Sequence, residues 1–95
     1  MLHLRLLYIV YRKIKYSYYI DMNDEQLLNR IGLNVRVERT IKQLTQAQLA
    51  ELIDVHEKYI GKIETGKQNV TVRTLNKIAQ ALNINIIRLL EDKNA

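Results

Sequence analysis

Several residue types are missing from this sequence. It contains no cysteine, no proline, no tryptophan and no phenylalanine, and only three of its 95 residues are glycine. The absence of cysteine excludes disulfides and thiolate metal sites, as is usual for a cytosolic protein. The absence of proline and the scarcity of glycine disfavour turn-rich β architectures. The sequence therefore favours an all-α fold.

Patterns that carry catalysis are also missing. Histidine occurs only at His3 and His56, and the carboxylates do not cluster, so the sequence offers neither a set of metal ligands nor a nucleophile–base pair. There is no glycine-rich phosphate loop. We therefore expect a protein that is not an enzyme and that needs no metal or other cofactor.

Positive charge is concentrated in one part of the chain. The net charge is +5, and positions 58–77 hold five basic residues against the single acid Glu64. These basic residues are Lys58, Lys62, Lys67, Arg73 and Lys77. Such a local excess is typical of a nucleic-acid-binding surface, although a solvated basic surface without a partner is the alternative. The 47% hydrophobic content is enough for the modest core of one domain.

Residues 45–66 predict two short helices joined by a tight turn. Thr45 is the expected N-cap of the first helix, Gln46–Ile53, and the second helix is expected at Glu57–Glu64. Ala50 is small enough for the second helix to cross closely over the first. This crossing leaves the outer face of the second helix free to enter a groove. That face is polar and basic, and it comprises Glu57, Lys58, Tyr59, Gly61, Lys62 and Thr65.

The first helix of the domain is predicted from Asp24 to about Gln43, with Asn23 as its N-cap. Its apolar row is Leu27, Ile31 and Val35, with Leu28 and Ile41 beside it. Arg39 continues this row, and Glu64 lies on the packed side of the second helix. We therefore predict a partly buried Arg39–Glu64 ion pair, the alternative being that both charges reach solvent.

The end of the chain predicts two more helices. Thr71 is expected to cap a helix at Val72–Leu82, and Asn83 fits the left-handed position after it. Asn85 is expected to cap a last short helix, Ile86–Glu91. This helix is apolar on too many sides for a small core alone, which favours a homodimer over core packing. The predicted dimer contacts are Ile84, Ile86, Ile87, Leu89 and Leu90.

Residues 1–22 differ in character from the predicted domain at residues 23–95. They hold five of the six tyrosines, carry a net charge of +3 and include the apolar run Leu6–Tyr11. This run is too short to span a bilayer and lacks the features of a signal peptide, so no membrane-spanning segment is expected and a membrane is not the favoured partner. Helical and extended periodicities fit this N-terminal extension equally.

Three interpretations of the extension stay open. It is an arm for oligomerisation or for binding a partner protein through residues 1–20, a basic segment that touches membranes, or translated upstream sequence. Met22 precedes a well-capped helix start and can serve as an initiator, which is consistent with the third interpretation. A chain starting at Met22 is then expected to fold, to dimerise and to bind the same nucleic acid as the full chain.

Residues 31–90 resemble the lambda-repressor-like helix-turn-helix family, which includes phage Cro and repressor domains and the Xre-type bacterial regulators. The residues that carry the resemblance are Ile31-Gly32, Arg39, Leu44-Thr45-Gln46, Leu49-Ala50, Val55, Tyr59-Ile60, Ile63-Glu64, Gly66-Lys67, Asn69, Leu75, Ile78-Ala79 and Ala81-Leu82. The resemblance implies a compact bundle of five helices that acts as a dimer on a near-palindromic operator. It also implies a buried ion pair between Arg39 and Glu64.

The resemblance further implies a set of DNA-binding residues. Gln46 falls at a phosphate-contacting position, Glu57, Lys58 and Lys62 fall at base-reading positions, and Lys67 and Arg73 fall near the second phosphate strand. The whole predicted set is Thr45, Gln46, His56, Glu57, Lys58, Tyr59, Lys62, Lys67, Asn69 and Arg73.

Three residues depart from the family pattern. Asp54 replaces a turn glycine, His56 replaces a Ser or Thr cap and is expected to weaken the helix start, and Val70 replaces a common proline. Residues 59–64 and 69–71 also look like the controller proteins of restriction–modification systems. We expect a cytoplasmic transcriptional repressor or controller associated with a bacterial or phage nucleoid. The alternative is an antitoxin or protein-interaction module whose N-terminal arm binds a partner protein.

Overall fold

Helices account for all regular structure in the part of the chain that the computed structural model describes, residues 4–12 and 22–93. Helix α1 covers residues 4–12. The others are α2 (Asp24–Ile41), α3 (Gln46–Leu52), α4 (Glu57–Glu64) and α5 (Val72–Leu82), followed by a 3₁₀ helix at Ile86–Leu89. The predicted all-α class is confirmed.

Side-chain caps fix where the domain helices begin. Asn23 and Gln26 form a reciprocal capping box, in which the Asn23 Oδ1 accepts from the Gln26 N–H at 2.8 Å. Thr45 accepts from the Gln48 N–H at 3.0 Å at the start of α3, and Thr71 caps α5. These bonds satisfy N–H groups that have no partner within the helix. The starts of α2, α3 and α5 therefore lie where the sequence predicts them.

The end of α2 differs from the prediction. The helix ends at Ile41 rather than near Gln43, because Gln43 adopts a left-handed conformation (φ 59°) and turns the chain. Ile41 was predicted beside the apolar row, but it is 61% exposed. The turn brings the Leu44 carbonyl within 2.7 Å of Arg39 Nη1. A polar contact therefore connects the last turn of α2 to the turn that follows it.

The core lies between α2, α3, α4 and α5, with α4 packed against both α2 and α3. Ala50 is buried where α4 crosses α3, as its small size predicts. The predicted inner face of α5 is buried in full: Leu75, Ile78, Ala79 and Leu82. The remaining core residues are Ile31, Val35, Leu49, Ile53, Ile60, Ile63 and Leu89.

The C-terminal helix is shorter and tighter than predicted. It is a 3₁₀ helix at Ile86–Leu89, capped by Asn85, and not an α-helix reaching Glu91. The backbone carbonyls at its end accept hydrogen bonds from side chains, Glu91 O from Asn34 at 2.8 Å and Arg88 O from Lys93 at 3.2 Å.

This geometry corrects one predicted dimer contact. Leu89 has no exposed surface and belongs to the core. Ile84 and Ile86 are half-buried against the core, whereas Ile87 and Leu90 are exposed. The apolar surface that the C-terminal segment offers a partner is therefore smaller than the sequence predicts.

Helix α1 carries apolar side chains on every side. All seven of its large hydrophobic residues are more than half exposed. They are Leu4, Leu6, Leu7, Tyr8, Ile9, Val10 and Tyr11. Residues 1–3 and 13–21 of the N-terminal extension lie outside the described residues, and the domain boundary at residues 22 and 23 stays a prediction. Among residues 4–12 and 22–93, none of the helices combines the length and the apolar character that a membrane span requires.

Candidate nucleic-acid interface

A tight turn sets the start of α4. Asp54 has φ 58°, in the left-handed region that Asp tolerates better than most residues, as the sequence predicts. His56 is the N-cap, and its Nδ1 accepts from the Lys58 N–H at 3.1 Å. His56 was expected to weaken the helix start, but its ring nitrogen performs the capping role. Because Nδ1 accepts this hydrogen bond, the ring proton lies on Nε2, which can donate to another group.

An ion pair anchors the end of α4 to α2. Arg39 Nε and Nη2 donate to the two carboxylate oxygens of Glu64 at 2.6 and 2.9 Å, while Arg39 Nη1 donates to the Leu44 carbonyl. The Glu64 side chain is 2% exposed. Its hydrogen bonds raise the pKa of Arg39, because they favour the charged guanidinium more than burial disfavours it. The ion pair predicted from the sequence is present.

A glycine lets α2 approach the end of α4 closely. A β-carbon at Gly32 would lie 2.3 Å from the Ile63 carbonyl oxygen and 2.7 Å from that of Glu64. Only glycine fits there, because these are backbone atoms that cannot move aside independently. Gly32 is among the residues that carry the family resemblance, but its close approach to α4 is not predicted from the sequence. Its signal was a glycine inside a helix, where glycine is otherwise unfavourable.

The outward face of α4 is open to solvent. Glu57, Lys58 and Lys62 are exposed, whereas Tyr59 is half-buried and packs against the core. Lys58 and Lys62 are four residues apart and therefore neighbours on the helix surface. The helix thus presents two cations side by side, with its opposite face fixed in the core.

Polar residues from α3 lie at one side of this face. Thr45 is exposed, and its hydroxyl oxygen accepts from the Gln48 N–H. The half-buried Gln46 donates from Nε2 to the Glu64 Oε1 at 3.0 Å. An amide nitrogen has two N–H groups, so Gln46 keeps one donor in addition to the bond with Glu64.

The loop after α4 contributes the remaining predicted residues. Gly66 (φ 74°) follows the end of the helix. Asn29 of α2 occupies the space where a β-carbon at position 66 would lie. Lys67 and Asn69 follow in the loop, and Arg73 lies in the first turn of α5. All three side chains are exposed. Exposed basic groups therefore continue from α4 to the start of α5.

A second buried cluster was not predicted. Glu38, next to Arg39 on α2, is 1% exposed and accepts from Lys93 Nζ at 2.8 Å and from Arg88 Nε at 3.1 Å. Burial alone would raise the pKa of Glu38, but the hydrogen bonds and charges of Lys93 and Arg88 outweigh it and hold the pKa below 4.5. Asn34 and Glu38 lie at i+3 and i+7 from Ile31, a spacing that could have indicated their burial.

The described residues offer little material for other kinds of site. No group of three His, Cys, Asp or Glu side chains in residues 4–12 and 22–93 is arranged to hold a metal ion. Every buried side-chain nitrogen or oxygen in this part of the chain has a hydrogen-bond partner. Exposed cations lie on α4, in the following loop and on α5.

The geometry defines a helix-turn-helix unit, in which α3 and the turn hold α4 against the core with its polar face outward. Comparison with known proteins gives the same assignment. Residues 35–89 match the helix-turn-helix family, and the chain belongs to this family of DNA-binding transcriptional regulators.

Among its relatives are restriction–modification control proteins. Control protein C.SmaI of Serratia marcescens is 47% identical over 57 residues, covering 60% of this chain and 68% of its own. Control protein C.MunI of a Mycoplasma species is 36% identical over 72 residues, covering 75% of this chain and 95% of its own. The crystal structure of controller protein C.AhdI from Aeromonas hydrophila has a TM-score of 0.63 and 37% identity, covering 65% of this chain and 94% of its own.

Proposed function

We propose that this protein is a controller of the restriction–modification type that binds a near-palindromic DNA operator as a homodimer, with α4 in the major groove. The observation that carries this proposal is the exposed Lys58–Lys62 pair on a helix whose opposite face is buried and anchored by the Arg39–Glu64 ion pair. The similarity to C.SmaI and C.MunI supports the restriction–modification role. In this role the protein acts in the cytoplasm by binding its operator, and the proposal includes no catalytic step.

The base-reading residues in this proposal lie on α4. Lys58 and Lys62 suit the O6 and N7 acceptors of guanine, and Glu57 suits the amine of cytosine. Tyr59 lies beside them, half-buried, where its exposed edge can contact the groove.

Phosphate contacts fix the position of α4 without reading sequence. Thr45 and Gln46 would bind one strand from the N-terminus of α3, and the His56 Nε2–H is a further donor at the N-terminus of α4. On the other side of α4 the phosphate-binding residues would be Lys67, Asn69 and Arg73.

The second protomer would bind through the C-terminal segment. Ile87 and Leu90 are exposed there, and Ile84 and Ile86 contribute their half-buried edges. Burial of such apolar surface favours association, and a two-fold symmetric contact is the commonest arrangement of a homodimer. The two copies of α4 in such a dimer would bind half-sites about 34 Å apart, which is one helical turn of DNA.

Selection of bound sites from random DNA tests the proposal directly. We expect an inverted repeat whose half-sites are about one helical turn apart. Recovery of unrelated sequences, or of single half-sites only, would contradict sequence-specific dimeric binding.

Two substitutions then separate base reading from phosphate binding. Lys62→Ala should cost roughly 1–3 kcal/mol in binding and relax the preference at one base-pair position. Gln46→Ala should weaken binding about equally on all sequences, which makes it the matched control. Titration of each variant against operators with single base-pair changes gives both results. A uniform loss for both variants would mean that Lys62 does not read a base.

A protein partner is the second candidate function, as for an antitoxin. The seven exposed apolar side chains of α1 favour it, because contiguous exposed apolar surface is typical of protein-binding sites. DNA binding by the same chain is compatible with it. Co-purification of a second protein bound through residues 1–20 would support this function.

A further inference from the structure

The two glycines inside helices occupy very different surroundings. At Gly32 a β-carbon would collide with the backbone of α4. At Gly61, in α4, a β-carbon would meet only the Gln46 side chain, at 3.7 Å from Oε1 and 4.0 Å from Nε2. These are ordinary van der Waals distances. The fold therefore explains Gly32 but leaves Gly61 unexplained.

Gly61 also has no conformational reason to be glycine. It lies in the interior of α4, Glu57–Glu64, and its φ is not among the positive values, which occur at Gln43, Asp54, Gly66 and Asn83. Glycine inside a helix is less favourable than alanine, because the unfolded chain gains freedom and the helix gains no side-chain contact. The folded monomer would therefore be more stable with alanine at this position.

The position of Gly61 indicates what does require it. Glu57, Gly61 and Thr65 follow each other at intervals of four residues and form one row on the outward face of α4. The neighbouring row carries Lys58 and Lys62. On its other side, Gly61 borders the Gln46 amide, a proposed phosphate donor. The backbone of α4 therefore carries no side chain between the candidate base-reading residues and the candidate phosphate-binding residue Gln46.

We infer that position 61 lacks a side chain because one sugar–phosphate strand of the operator packs directly against the α4 backbone there. The strand is the one that the free N–H of Gln46 binds. This inference rests on the proposed function and assigns a positioning role to Gly61. Glycine occurs where a ligand or another backbone approaches closely, and it sets here how deeply α4 enters the groove.

A methyl group at position 61 should then act on the complex and not on the free protein. It would occupy the surface between Gln46 and the Lys58–Lys62 row, so the strand would have to move away from the Gln46 amide. Because a displaced strand carries the same phosphates whatever its sequence, the loss should be uniform over base-pair changes. This behaviour differs from that expected of Lys62.

The test is Gly61→Ala in the full chain, with Gln80→Ala as the matched control at an exposed position of α5 outside the proposed interface. Thermal unfolding of Gly61→Ala should occur at the same temperature or a few degrees higher than that of the unchanged protein. Its affinity for the selected operator should fall about tenfold or more, with base preferences unchanged. Gln80→Ala should bind normally.

A double-mutant cycle identifies the strand. If Gly61 and Gln46 serve the same phosphate contact, Gly61→Ala combined with Gln46→Ala should lose less affinity than the product of the two single losses. Independent losses would overturn the assignment to the Gln46 strand.

Two other results would overturn the role of Gly61. Wild-type affinity in Gly61→Ala would mean that no strand packs there, and a lower unfolding temperature would mean that the fold itself requires glycine. Failure of the unchanged protein to select any operator would instead remove the proposed function, so the two failures are distinguishable.

Discussion

Two adjacent residues of α2, Glu38 and Arg39, take part in two separate buried ion clusters. Arg39 binds Glu64 and connects α2 to the end of α4. Glu38 binds Arg88 and Lys93 and connects α2 to the C-terminal segment. One cluster therefore supports the candidate recognition helix, and the other supports the segment that carries the candidate dimer contacts.

The two clusters differ in the solvent exposure of their side chains. In the first, the side chains of Arg39 and Glu64 are 14% and 2% exposed, and the planar guanidinium donates to both carboxylate oxygens. In the second, Glu38 is buried, but the side chains of Arg88 and Lys93 are 51% and 19% exposed. The consequence of losing one partner depends on whether the charge left behind can become hydrated.

Arg39→Ala should produce the largest effect. It leaves the Glu64 carboxylate buried with only Gln46 as a hydrogen-bond partner, so the free energy of unfolding should fall by about 3–5 kcal/mol. Denaturant unfolding monitored by circular dichroism measures this. The matched control is Arg39→Met with Glu64→Leu, which removes both charges and should cost much less. A loss of only a few tenths of a kcal/mol in Arg39→Ala would show that Glu64 becomes hydrated in the folded protein.

Glu38→Gln should have a smaller effect. It keeps the shape of the side chain but removes its charge, and the two cations left behind can turn towards solvent. We expect a loss of roughly 1.5–3 kcal/mol, the range for hydrogen bonds to charged groups. The same denaturant experiment measures it, with Glu51→Gln on the exposed surface of α3 as the control. A loss as large as that of Arg39→Ala would contradict the role given to solvent access.

The sequence predicts one cluster and not the other for physical reasons. Arg39 continues the apolar row of α2, and Glu64 lies on the packed side of α4, four residues after Ile60. The partners of Glu38 lie 50 and 55 positions away, in a segment where periodicity suggests an α-helix but the structure forms a 3₁₀ helix. Contacts that depend on how a short terminal segment folds back cannot be obtained from local patterns.

In the fold and the candidate site, too, local patterns predict some features, and contacts between distant residues decide the others. The limits of α5 are predicted because its cap and its apolar stripe agree, and the apolar stripe of α4 indicates which face of that helix is exposed. The capping by His56 and the closeness of Gly32 to the end of α4 could not, since they depend on a ring orientation and on an interhelical distance.

The smallest expected effect is the acid dependence of the Glu38 cluster. Because the folded-state pKa of Glu38 lies below its ordinary value of 4.5, the unfolded chain binds this proton more readily than the folded one. The contribution of Glu38 to stability is therefore fully present above the unfolded-state pKa, and it is lost as the pH falls through the folded-state pKa. The difference in unfolding free energy between the unchanged protein and Glu38→Gln should be constant near neutral pH and should shrink below about pH 4.5. Unfolding curves from about pH 7 to about pH 3 measure this difference, and a difference that is independent of pH would contradict the contribution of the Glu38 charge.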